Sequence, residues 1–220
     1  MKQIIGYMEY DYMNIKYGML YMLAIFGIVS IFFSMQTGTG AVAYMMFCGL
    51  ILSGTAFNTT MHSVSFAALA PGSILQKVTG RYLGGVVCVV ASAAVGLLSV
   101  GLVKLAGFSK AAGVFDDRME FPFLLGLFGI SLFFLAVQNV LLYLLTPILG
   151  VQFIGLVRMA PGFIMFFGMM NLVNDENVDM LSAVIREPWT AAGIVLGAGI
   201  LSMLISAFCS CLILRKRDNV

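Results

Sequence analysis

A chain of 220 residues that is 61% hydrophobic, only 10% charged and of mean hydropathy +1.02 cannot clothe an ordinary soluble core in polar surface. Twelve Lys and Arg against ten Asp and Glu leave a formal charge of +2, too little to mark a nucleic-acid-binding protein. The composition is that of an all-α membrane protein; a strand barrel is excluded because its sequence would alternate in short segments rather than run solidly apolar.

Residues 1–17 are too polar to cross a bilayer. Ile4, Met8, Tyr12 and Ile15 share one side of a helix, while Lys2, Glu9 and Lys16 recur every seven residues along another flank. They are read as an interfacial amphipathic helix, with Asp11 beside the apolar stripe marking where it packs on protein, the alternative being a frayed tail. After it come apolar runs that a hydrocarbon core about 30 Å thick converts into six transmembrane helices in a single domain, 18–214. The first two span 18–36 and 41–58. Ala41-Val42-Ala43 is not read as a signal-peptide cleavage site, since 17 residues precede the first run and a second run follows at once.

Residues 61–73 form an elbow between the second and third spans. "MHSVSFAALA", 61–70, is short and mildly amphipathic, and Pro71 disfavours helix at Ala70. Ser73 followed by Gln76 is a capping box, so a new helix is expected from Ile74. That helix carries Lys77 and Arg81 on its first turns and is apolar as the third span, 81–105.

The fourth span is 121–146 and the fifth 159–173. Fifteen residues reach only about 22 Å, so at the fifth span either the bilayer thins or the helix starts near Gly150 and Arg158 snorkels to the interface. The acidic loop before the sixth span, Asp175 to Asp179, lacks the glycine and terminal glutamate of a calcium loop and reads as a solvated cap. Trp189 after Pro188 is placed as an interfacial anchor for the sixth span, 190–214, and 215–220 form a short tail. Gly80-x-x-x-Gly84, Ser92-x-x-x-Gly96 and Gly193-x-x-x-Gly197 are spacings that let helix backbones approach in lipid, within one subunit or between two.

With the N-terminus inside, the inner segments hold Lys2, Lys16, Lys77, Arg81, Arg158, Arg215, Lys216 and Arg217, against Lys104, Lys110, Arg118 and Arg186 outside. Eight cations against four place both termini in the cytoplasm.

Chemical machinery is missing from the sequence. There is no Walker-type glycine loop, no His-Glu-x-x-His helix, no Gly-x-Ser-x-Gly elbow and no carboxylate pair inside a span, so no catalytic residue and no cofactor of its own are assigned. Cys209-x-Cys211 lacks a second pair of ligands and no metal site is assigned. The polar groups within spans are Asn58, Gln138, Asn139 and Tyr143, which either line a cargo path or tie helices together. With 18 Phe and 16 Met, the chain offers soft surfaces that suit variable apolar cargo or simply face lipid.

Pro71-Gly72-Ser73, Val78 and Gly80-Arg81-Tyr82 resemble the pattern Pro-x-Ser/Thr, Val, Gly-Lys/Arg-Tyr of type-two ABC exporter permeases. The six-span layout, the N-terminal helix and the short inner loop 147–158 are similar too, most of all to small permeases that export bacterial peptides such as phenol-soluble modulins or lantibiotics. Asn58-Thr59-Thr60 stands where family members often have an acidic residue. The resemblance implies a coupling helix at 61–70 that docks on a separate ATPase, the coupling residues being His62, Ser63, Ser65, Phe66, Ala68, Leu69, Pro71, Gly72 and Ser73. It also implies two ATPase subunits binding ATP and Mg, a second permease subunit, identical or paralogous, peptide cargo, and a bacterial cytoplasmic membrane. The competing readings are an ion-gradient carrier, disfavoured because no span carries a midplane charge, and a membrane immunity protein that only sequesters peptides.

Overall fold

The computed structural model describes residues 4–6, 28, 72–105, 117–145 and 187–218. Three long helices dominate them: α1 (Ile74–Leu105), α2 (Asp117–Leu145) and α3 (Pro188–Asp218). These occupy the stretches expected as the third, fourth and sixth spans. At 1.5 Å per residue, their 29 to 32 residues reach about 43–48 Å, and each is long and apolar enough to cross a membrane. Apart from residue 28, the first expected span lies outside the described residues, as do the second and fifth, 61–71 of the coupling segment and all of 1–17 except 4–6, which are helical.

The helix ends follow local chemistry. At α3, the Ala191 amide donates to the Glu187 carbonyl at 3.1 Å, which makes Glu187 the cap and puts Pro188 at the first helical position, where its missing N–H is not needed. α2 begins at Asp117, one turn before the expected start of the fourth span, and runs through a fully buried Pro122. So near the helix start, the proline leaves only the Arg118 carbonyl without its usual donor.

Contacts along the bundle fix the helix directions. Phe121 stands 6.1 Å from Trp189, Gly126 lies beside Ala192, Gly129 meets Leu196, and the Ala136 carbonyl meets Ser206. Numbers rise together, so α2 and α3 run parallel. α1 is antiparallel to both, since Gly85 packs on Leu135 while Arg81, earlier in α1, reaches Tyr143, later in α2. One end of the bundle therefore carries Phe121 and Trp189, and the other carries Lys77, Arg81, Arg215 and Lys216; the latter is the basic end.

The α2–α3 interface is the most extensive of the three. It depends on two glycines. A Cβ on Gly129 would lie 2.7 Å from the Leu196 Cα and from the Val195 carbonyl oxygen, and one on Gly199 would collide with the Gly129 backbone. In lipid, apolar area gives little reason for helices to associate, so this backbone approach supplies the dispersion contacts instead. Val78, Tyr82 and Val89 of α1, Leu132, Leu135 and Ala136 of α2 and Met203 of α3 form the shared core.

Polarity is arranged for a membrane. Ser131, Gln138, Asn139, Ser206 and Ser210 are buried, whereas Leu83, Val87, Val90, Leu201, Leu204, Ile205 and Phe208 face outward. Gly193 and Gly197 are exposed with nothing within 4 Å among the described residues, so in α3 the close approach to α2 is made by Gly199 and not by the Gly193-x-x-x-Gly197 pair.

Gly199→Ala is expected to destabilise the protein by about 1–3 kcal/mol, because a backbone and not a yielding side chain occupies the space, while Gly193→Ala should be neutral or slightly stabilising. Thermal unfolding of the two variants in detergent measures the difference.

Candidate functional site

The start of α1 is a rigid joint. Gly72 has φ 153°, a conformation that L side chains rarely adopt, and it turns the chain into the helix. Immediately after it, the Ser73 amide donates to Gln76 Oε1 at 3.1 Å and the Gln76 amide donates to Ser73 Oγ at 3.3 Å. The Lys77 amide donates to the Ser73 carbonyl, also at 3.1 Å, and the first turn is closed. This reciprocal capping binds two amides that a helix start otherwise leaves free.

Two turns further on, Arg81 and Tyr82 attach α1 to its neighbours. Consecutive helical residues point about 100° apart, so one of the pair can reach α2 while the other reaches α3. The Arg81 guanidinium carbon lies 5.8 Å from the centre of the Tyr143 ring on α2, a cation–π contact. Tyr82 extends the other way, and its hydroxyl lies 2.5 Å from Ser206 Oγ and 2.9 Å from Ser210 Oγ on α3. Ser206 Oγ in turn donates to the Ala136 carbonyl of α2 at 2.6 Å.

The direction of this chain of hydrogen bonds follows from donor counting. A carbonyl only accepts, so the single Ser206 proton is committed to Ala136. Ser206 must therefore accept from Tyr82, and Tyr82, its proton spent, accepts from Ser210. One oriented relay, Ser210 to Tyr82 to Ser206 to the Ala136 carbonyl, links all three helices at a depth where water does not compete. Its members are hydroxyls, and their hydrogen bonds hold the three described helices in register. Among the described residues, no three His, Cys, Asp or Glu side chains come together as metal ligands.

Of the expected coupling residues, Gly72 and Ser73 are described and form the joint; His62, Ser63, Ser65, Phe66, Ala68, Leu69 and Pro71 lie outside the described residues, as does Asn58 of the expected cargo path. Gln138 and Asn139 are 3% and 4% exposed, inside the bundle, and Tyr143 is half-buried under Arg81. Sequence reading overlooked Ser206 and Ser210. Their signal was present as Ser202-x-x-x-Ser206-x-x-x-Ser210, a small polar residue on every turn of one face of an apolar helix. Only two of the three cross the interface, since Ser202 Oγ donates to the Gly199 carbonyl of its own helix at 2.7 Å.

A family model described as ABC-2 family transporter protein matches residues 8–215, nearly the whole chain. No curated protein and no solved structure matches it.

In a double-mutant cycle, Tyr82→Phe and Ser206→Ala should show a coupling of about 0.6–1.7 kcal/mol, the range for hydrogen bonds between membrane helices. Gly72→Ala is expected to cost about 1–3 kcal/mol through the strained φ. Both are read from unfolding in mixed detergent micelles.

Proposed function

The chain belongs to the ABC-2 transporter family, and from that premise we propose that it is the permease of an ATP-driven exporter in which the elbow at 61–73 receives force and the joint at Ser73 passes it into the bundle. The family makes the chain a membrane-embedded component of an ABC transporter, whose energy comes from an ABC ATPase partner. Two ATPase subunits and a second permease, identical or paralogous, complete the proposed assembly. Amphipathic or antimicrobial-type peptides are the proposed cargo, with the membrane that of a bacterial cytoplasm and both termini on its inner side.

The single observation that carries this reading is the construction of α1. A displacement at its start meets a reciprocally capped first turn and not a fraying one, so α1 moves as a unit. Two turns along, it is tied to α2 through Arg81 and to α3 through Tyr82, and the displacement becomes a movement between helices. A ligand shifts a conformational equilibrium only by its differential affinity for the two states, so the ATPases must grip the elbow differently before and after closure. Alternating access then follows from α1 tilting against the α2–α3 pair.

The parallel course of α2 and α3 supports the fifth crossing. α2 ends at the basic end and α3 begins at the opposite one, and the proposed fifth crossing accounts for that change of side. With α1 antiparallel to both, the alternation agrees with the proposed order of third, fourth, fifth and sixth spans.

Ala68→Asp with Leu69→Asp is expected to abolish copurification of the ABC ATPase partner while leaving membrane insertion intact. Unchanged copurification would contradict the proposed coupling. In the reconstituted complex, amphipathic peptides should stimulate ATP hydrolysis; transport by the permease alone, driven by an ion gradient, would instead favour a carrier.

A further inference from the structure

Two hydrogen-bond donors are buried without an acceptor among the described residues, toward the basic end of the bundle: Arg81 Nη2 and Asn139 Nδ2. Neighbouring contacts locate them. Leu135 packs on Gly85, the Tyr143 ring lies under Arg81, and Asn139 sits midway between Leu135 and Tyr143 in the same i, i+4 row of α2. Asn139 therefore faces α1 between Gly85 and Arg81, and both donors belong to one α1–α2 seam. They cannot satisfy each other, because an amide nitrogen and a guanidinium only donate. Burying such a donor unpaired is costly, the more so when it is charged, and Asn139 is only 4% exposed. A leucine would fill the same space without that penalty.

We infer that this seam holds the phosphate of an anionic phospholipid, whose oxygens accept from Arg81 Nη2 and Asn139 Nδ2. A charged fork beside a second donor calls for an oxyanion with more than one acceptor atom. The depth is that of a headgroup: Arg81 is the last cation on α1 before an uncharged run to Lys104, so it stands at the boundary where lipid phosphates lie. Lys77, one turn closer to the helix start on the same side as Arg81, raises the local potential and favours an anionic lipid over a zwitterionic one. The inference does not depend on the nature of the cargo or on an ATPase.

The full-length chain in dodecyl maltoside is titrated with phosphatidylglycerol and its melting temperature followed. The lipid should raise the melting temperature of the wild type, and Arg81→Gln and Asn139→Leu should each require about tenfold more lipid for half the shift. Arg215→Gln, which alters an exposed cation at the same end, should respond as the wild type does. If Arg81→Gln fails to fold, Asn139→Leu carries the test, because removing an unpaired buried amide leaves the lipid-free melting temperature unchanged or higher. An equal lipid response in Asn139→Leu and wild type overturns the site. Equal weakening by Arg215→Gln assigns the effect to the exposed rim and also overturns it. Equal stabilisation by sodium phosphate at matched concentration assigns the seam to a free oxyanion and overturns the lipid, as does displacement of the lipid effect by an amphipathic peptide with a free carboxylate.

Discussion

The Tyr82 hydroxyl is where the three described helices meet, and their arrangement depends on it. In a bilayer, apolar side chains are as well solvated by lipid as by one another, so the force that collapses a soluble core is missing between helices. What remains is close packing and hydrogen bonding, and Tyr82 uses the second of these to connect α1 to α3 directly and to α2 through Ser206. Because Ser206 must give its proton to a carbonyl, the relay has one orientation, and its parts cannot be rearranged singly without losing a bond.

Close packing supplies the other half. α2 and α3 touch backbone to backbone at Gly129 and Gly199, which fixes their separation and their parallel course. α1 is attached to the pair through Arg81 and Tyr82 near its start, with Gly85 settling against the flexible end of Leu135. Among the described residues, α2 and α3 form a tight pair, and α1 touches each of them less extensively. That asymmetry is what a helix driven from its end would require: a fixed reference to move against, and ties that define the direction of movement.

The joint at Gly72 and Ser73 matters for the same reason. A helix whose first turn frays absorbs a push by unwinding, since each amide of that turn can exchange its partner for water. Reciprocal capping removes this compliance at the one place where the family's ATPase partner is proposed to act, and the Arg81–Tyr82 fork lies only two turns downstream. Short motifs can therefore have long mechanical reach. Gly80-Arg81-Tyr82 is three residues, yet it sets how α1 is held by both of its neighbours.

Much of this was legible in the amino-acid sequence. Solid apolar runs between charges marked the three described membrane helices, because bilayer thickness imposes a length that composition alone reveals. The Ser73–Gln76 box was readable because capping is local, three residues apart in the chain, and it forms as expected. Tertiary structure decided which small residues face a neighbour. Gly193 and Gly197 have the spacing of a packing motif and point outward, while Gly129 and Gly199 make the contact, because which face of an apolar helix turns inward is set by the partner and leaves no mark in periodicity when every face is apolar. The serine row of α3 could be read from the sequence, but its partners could not: Tyr82 and Ser210 are 128 positions apart, and the last acceptor is a backbone carbonyl that every residue possesses.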